Sequence, residues 1–179
     1  MSPIGTRIYL AYGSNLHPRR LEARIGPVEL LGTTVLQGWS LRFDKRGGDG
    51  SSKANLHPAP GVDCRAGAAL YALDLEQLRK LDRYEGVGRG YETFEMTLPW
   101  QSQAITAFMY LAPSQWLSST LLPFDWYVEL IAEGYRFHGF GSAHIEALAR
   151  QPVQRDQRVE RARRELEGLG LRWPAHYGA

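Results

Sequence analysis

Residues 73–86, L-D-L-E-Q-L-R-K-L-D-R-Y-E-G, constrain the fold more than any other part of the chain, because they mark both ends of a helix. Asp74 can cap the first turn, and Gln77 stands three residues on, the capping-box spacing. Leu73 and Leu78 hold the staple positions around that cap, and Gly86 supplies a stop. The residues on either side read as strands. Residues 7–12 form an apolar run, and 28–43 are rich in β-branched and aromatic side chains. Shorter strand segments follow at 54–57 and 66–72. Residues 92–99 and 104–111 alternate in part about the polar turn 100–103, which predicts a hairpin. Further helices are expected after His17-Pro18, ending at Gly26-Pro27, and at 125–133, 142–150 and 154–166. Most strands come early and most helices late, with one helix between strands, so the pattern predicts an α+β fold rather than a doubly wound sheet.

At 179 residues and 44% hydrophobic, the chain can bury one core, and a single domain spanning 1–179 is expected. The net charge of +2 does not imply a polyanionic partner, and the basic stretch 154–164 reads as a solvated helix face. No nucleic-acid or membrane partner is expected. The single cysteine, Cys64, excludes an internal disulfide. With no apolar leader in residues 1–7 and no stretch long enough to span a bilayer, a cytoplasmic location is expected. The five histidines are scattered without the i, i+4 pairing of a metal site, so no metal and no cofactor are expected. Residues 46–53, R-G-G-D-G-S-S-K, lack the order of a phosphate-binding loop and suit a surface loop or cavity lid.

Two features carry chemistry. The first is the helix of residues 75–85. At about 100° per residue, Leu75, Leu78 and Leu81 define one apolar stripe, and Glu85 falls about 20° and Asp82 about 40° from its centre. Arg79, Lys80 and Arg83 fall outside it. A carboxylate that faces the core at the negative end of a helix has its charged form disfavoured twice, by burial and by the macrodipole. That would move Glu85 toward the range where an acid exchanges protons near neutrality. The same phase also suits a Glu85 that turns outward as the helix frays. The second feature is Tyr12-Gly13-Ser14-Asn15, where a strand ends in small, permissive residues. It reads as an ordinary turn into a helix, or as a cradle of backbone N–H groups for a charged ligand. Ser14 does not stand in the G-x-S-x-G elbow of a hydrolase nucleophile.

Taken together, these segments resemble the γ-glutamyl cyclotransferases and their AIG2-like relatives. The resemblance rests on Y-G-S-N at 12–15 and L-D-R-Y-E-G-V at 81–87 followed by Tyr91. It is extended by K-A-N-L-H-P-A-P-G from Lys53, G-A-A-L-Y-A-L from Gly67, and Y-V-E-L-I-A-E-G-Y-R-F-H-G-F from Tyr127. It covers about residues 8–150 and leaves a basic helical extension at 151–179. The resemblance implies a small mixed β-barrel with flanking helices and a substrate cavity at the first loop. Glu85 would be the acid/base. Tyr12, Gly13, Ser14, Asn15 and Tyr127 would line or order the substrate site, with Asp82, Tyr91 and Asn55 as secondary candidates. Residues 47–52 and the tail from Gln151 have no counterpart in that pattern.

The implied reaction asks little of a protein. The α-amine of a γ-glutamyl compound attacks its own γ-carbonyl, closes 5-oxoproline and expels an amino acid or amine. Both reacting groups lie in one molecule, so orientation supplies much of the rate. One carboxylate can carry the proton from the attacking nitrogen to the leaving one, and amides of residues 13–15 can hold the substrate carboxylate or the developing oxyanion. The other function the pattern allows is a non-catalytic module on the same scaffold, binding a small carboxylate or a protein.

Overall fold

The computed structural model describes residues 5–61 and 63–171. Among the described residues seven strands and five helices follow; the expected strand stretch 28–43 is divided at Gly38, φ 71°, into two strands that join different sheets. β1 is Arg7–Ala11, α1 Pro18–Ile25, β2 Glu29–Gln37, β3 Trp39–Arg46, β4 Ser52–Pro58 and β5 Arg65–Leu73. Then come α2 at Leu75–Glu85, β6 at Glu92–Trp100, β7 at Gln103–Leu111, α3 at Asp125–Phe137, α4 at Ser142–Ala149 and α5 at Val159–Glu167.

The fold is α+β. Five strands form one mixed sheet in the order β2-β5-β1-β7-β6, curled into half a barrel, and β3 and β4 pair with each other as a separate hairpin. β1 runs antiparallel to β5 and parallel to β7. Its sequence R-I-Y-L-A shows no alternation because both faces are covered: Tyr9, Leu10 and Ala11 are all buried. The expected β6–β7 hairpin forms, with a turn shorter than the expected 100–103: only two residues lie outside the pairing. Trp100 pairs with Gln103, and the two residues between, Gln101 and Ser102, have φ of 46° and 64°, as a type I′ turn requires.

α2 forms with the caps its sequence announces. The Asp74 carboxylate accepts from the Gln77 amide at 2.8 Å, the Gln77 side chain accepts from the Asp74 amide at 3.0 Å, and Gly86 closes the helix in the left-handed region. The apolar stripe is shorter than expected. Leu81 is fully buried and Leu78 half-buried, but Leu75 is 50% exposed. Helical side chains lean toward the N-terminus, so a first-turn leucine overhangs the helix end instead of facing the core.

Two helix boundaries differ from the expected ones. α3 continues to Phe137, through Gly134, because that glycine is where the helix lies against residues 16–17. A Cβ there would stand 3.0 Å from Leu16 Cβ and 3.1 Å from the His17 amide nitrogen. The last helix begins at Val159 rather than 154. Ahead of it, Asp156 is buried and accepts from Trp126 Nε1 at 2.9 Å and from Arg161 Nε and Nη2, each at 2.7 Å. The basic tail is therefore not a uniformly solvated face: Ala162 and Leu166 are buried, and Arg161 folds inward.

Candidate functional site

The loop after β1 is built to expose its amides. Tyr12 leaves the strand, and Ser14–Leu16 form a 3₁₀ turn closed by Leu16 N–H donating to Gly13 O at 2.9 Å. The first amides of such a turn have no partner inside it. Among the described residues, no acceptor is found for the amides of Gly13, Ser14 or Asn15. The turn is clamped from behind. The Leu16 carbonyl accepts from Tyr71 Oη at 2.9 Å and from His138 Nε2 at 2.7 Å, while His17 Nδ1 caps α1 by accepting from the Arg19 amide at 3.2 Å.

Glu85, at the last turn of α2, faces this loop. Its carboxylate accepts from Asn15 Nδ2 at 2.8 Å and from Arg24 Nη1 at 3.0 Å, and Arg24 Nη1 also donates to Asn15 Oδ1 at 2.8 Å. The three side chains close a triangle. Glu85 is 14% exposed and Arg24 17%, so the outward, frayed orientation does not occur. Arg24 was not foreseen, although its position on α1, between the buried Leu21 and Ile25, places it at the flank of that helix's apolar face.

Between the loop and Glu85 lies a cavity of about 30 Å³ walled by phenol rings, those of Tyr9, Tyr12, Tyr91, Tyr110 and Tyr127. Each hydroxyl is engaged. Tyr9 Oη accepts from Asn15 Nδ2 at 3.2 Å, Tyr12 donates to the Tyr110 carbonyl, and Tyr91 donates to the Ala54 carbonyl at 2.6 Å. The Ala54 amide donates to Tyr127 Oη at 3.2 Å, and Tyr127 is also bonded to the Ser14 hydroxyl. Burial first, and the charge of Glu85 in addition, push the phenols of Tyr9, Tyr12, Tyr91 and Tyr127 upward, so the rings act as neutral hydrogen-bonding groups.

The secondary candidates separate. Tyr91 lines the cavity, but Asp82 and Asn55 do not. Asp82 accepts from Tyr110 Oη at 2.6 Å and so holds a cavity ring from outside. Asn55 is buried, with Oδ1 accepting from the Ala112 amide at 2.9 Å, and it ties β4 to the chain just past β7. Sequence reasoning missed Tyr9 and Tyr110. Both stand in strands that read as core, and only the curl of the sheet turns their rings toward Glu85.

The cavity opens into a chamber of about 310 Å³, with Ser14, Glu85, Tyr91 and Tyr127 lining both. One side of the chamber is residues 47–49 of the β3–β4 loop; another is Arg161 and Glu165 of α5. The loop is anchored by Gly47 N–H donating to Ser51 O at 2.8 Å and Gln154 Nε2 donating to Gly50 O at 3.1 Å. A larger groove of about 470 Å³ between β3 and α4 contains none of the expected site residues, though Cys64 lies on it. Among the described residues no cluster of His, Cys, Asp and Glu is placed to hold a metal, and no helix is long and apolar enough to cross a membrane.

The site thus sets a largely buried carboxylate from α2 across a small cavity from the amides of the first loop of a curled mixed sheet. The chain belongs to the γ-glutamyl cyclotransferase, AIG2-like family, whose sequence model matches residues 9–128, from β1 into α3. Among solved structures it resembles a γ-glutamyl cyclotransferase at 23% identity, with a TM-score of 0.74 over 85% of this chain and 91% of that one. An uncharacterized protein from Homo sapiens is similar at 23% identity and a TM-score of 0.73, covering 87% and 96%. YkqA from Bacillus subtilis superimposes with a TM-score of 0.65 at 18% identity, over 83% of this chain and 56% of that protein. Among curated proteins, none matches.

Proposed function

We propose that this chain is a γ-glutamyl cyclotransferase that releases 5-oxoproline and a free amino acid or amine from a γ-glutamyl compound, with Glu85 as general acid/base. The observation that supports it most is the facing pair itself: a largely buried carboxylate on α2 across a cavity from the unpaired amides of Gly13, Ser14 and Asn15.

The cavity as it stands has room for about one water molecule, because Glu85, Asn15 and Arg24 are bonded to one another across it. A substrate ammonium arriving at Glu85 would take the place of the Arg24 and Asn15 donors, releasing them to bind the substrate's α-carboxylate. The glutamyl chain then folds so that nitrogen and γ-carbon approach. Glu85 removes a proton from the ammonium and the freed amine forms the lactam C–N bond. The charge that develops on the γ-oxygen meets the loop amides. Collapse breaks the original amide bond as Glu85 returns the proton to the leaving nitrogen; the new lactam nitrogen then gives up its remaining extra proton through Glu85 to the departing amine, which leaves as an ammonium. Tyr127 and Tyr91 keep the pocket walls neutral and fixed. We also take the chain as one working unit in a reducing compartment, since α5 completes the chamber and Cys64 is a free thiol.

The test is 5-oxoproline release from a panel of γ-glutamyl dipeptides and amines. Glu85→Gln, which keeps the shape and the Asn15 contact, should lower kcat by about 10²- to 10⁴-fold. Equal turnover by the variant refutes the role of Glu85. No turnover by the wild type, together with measurable affinity for glutamate-like ligands, would identify a binding module instead.

A further inference from the structure

The chamber outside Glu85 has an unbalanced charge, and the imbalance can be traced to one residue. Arg24 is paired with Glu85, Arg20 with Glu165, and Lys53 with Asp49 at 2.8 Å. Arg161 is paired with the buried Asp156. The remaining cation lining the chamber is Lys45, which has no ion-pair or hydrogen-bond partner among the described residues. Its ammonium lies 4.8 Å from the centre of the Tyr91 ring and over Gly90, where a Cβ would come within 2.9 Å of Nζ.

The backbone puts it there. The β3–β4 register slips between Phe43 and Lys45, so that Lys45 pairs with Lys53 while Phe43 pairs with the adjacent Ala54. Bulges of this kind re-aim side chains and gather beside functional sites. Here the bulge sets two lysines directly opposite each other on the face toward the chamber, an arrangement that is repulsive by itself. Asp49 bonds Lys53 directly and acts on Lys45 only as a more distant charge. Burial pushes the Lys45 ammonium down, Glu85 opposes the shift, and Lys53 adds to it. An anion entering the chamber would meet a positive charge already stripped of part of its water and held without a partner, which makes the contact stronger than at an open surface.

We infer that Lys45 is a specificity-determining residue that binds an anionic group, a carboxylate in the simplest case, on the leaving amine of the substrate. This rests on the cyclotransferase reading, in which the glutamyl head occupies the inner cavity and the departing part projects past Glu85, Tyr91 and Tyr127 into the chamber. Amino acids and short peptides with a free carboxylate are then the favoured leaving groups, and simple amines the disfavoured ones.

The test compares γ-L-glutamyl-L-alanine with γ-L-glutamyl-L-alaninamide, which differ in charge and hardly in size. Wild type should favour the acid by at least about tenfold in kcat/KM, mainly through KM. Lys45→Met and Lys45→Gln should each bring that ratio to within about threefold of one, and Lys45→Arg should keep most of it. Equal use of the two compounds by wild type overturns the inference. So does a loss in both Lys45→Met and Lys45→Gln that falls equally on acid and amide, because a purely structural lysine would behave that way. If wild type releases no 5-oxoproline from either compound, the cyclotransferase reading fails on its own, and calorimetric binding of the same pair decides about Lys45. Tighter binding of the acid that disappears in Lys45→Gln sustains an anion site; equal or undetectable binding refutes it.

Discussion

Gly134→Ala is a one-methyl test of how the site loop is held. Two effects of opposite sign meet at this position. Replacing glycine inside a helix with alanine ordinarily stabilises by about 0.5–1 kcal/mol. The new methyl, however, would lie 3.0 Å from Leu16 Cβ, 3.1 Å from Leu16 Cδ2 and 3.1 Å from the His17 nitrogen. Overpacking of this kind costs about 1–3 kcal/mol. Relaxation is blocked on the far side, because the Leu16 carbonyl is fixed by Tyr71 and His138 and His17 caps α1. The cost should therefore exceed the gain, leaving the variant about 1 kcal/mol less stable in urea unfolding, or lower in Tm by about 2–4 °C. The strain reaches the amides of residues 13–15, so affinity for a glutamate-like ligand should fall as well. A variant that is more stable than wild type by the ordinary helix increment, with affinity unchanged, would show that α3 can move away freely and does not set the loop.

Other expectations follow from individual contacts. Arg161→Met removes the bidentate partner of the buried Asp156 and should cost about 3 kcal/mol, read by denaturant midpoint. Although burial alone would raise it, the bonds from Arg161, the Arg158 amide and Trp126 hold the Asp156 carboxyl below its usual range. The associated stability is present above about pH 3.9 and is lost as pH falls through the lowered value, so acid unfolding should begin at a higher pH in Arg161→Met than in wild type. Burial first, with Arg19 adding, lowers His17, and burial lowers His138 against the pull of the Leu16 carbonyl. Both therefore favour folding above about pH 6.5 and cease to do so as pH falls through their lowered values. His17→Asn, which can retain the cap, should flatten part of that slope in unfolding measured from pH 7 to 5. In the β6–β7 turn, Ser102→Gly relieves a non-glycine residue at φ 64° and should stabilise by up to about 1 kcal/mol; a loss of stability would mean the serine makes a contact that outweighs the backbone gain.

The helical punctuation and the strand segments were legible because they are local. The box at Asp74 and Gln77, the proline opening α1 and the hairpin joining β6 to β7 each follow from a few neighbouring residues. The angle of Glu85 on α2 was legible from the helical period, but that period left an inward and an outward side chain equally open, and the inward one is held by Asn15 and Arg24. What could not be read was anything set by distant pieces meeting. Arg24 is as basic as any surface residue of α1, and only the crossing of α1 over α2 brings it to 3.0 Å from Glu85. Asn55 stood inside a family-like stretch and proved to be a buried tie to Ala112. Likewise, the stretch from 154 looked like one charged helix because helical period does not distinguish Asp156 from its neighbours; its burial depends on Trp126 and Arg161, thirty residues back and five ahead.

The chamber is walled by segments of different standing in the chain. Tyr91, Tyr127 and Glu85 belong to the stretch the family shares, whereas Arg161 and Glu165 arrive from α5, beyond it. That separation gives the molecule an exchangeable wall. Substitution along one face of α5 can redraw what the outer room admits while the Glu85 carboxylate and the amides facing it stay as they are, so variation of this helix reshapes the entrance without touching the inner cavity.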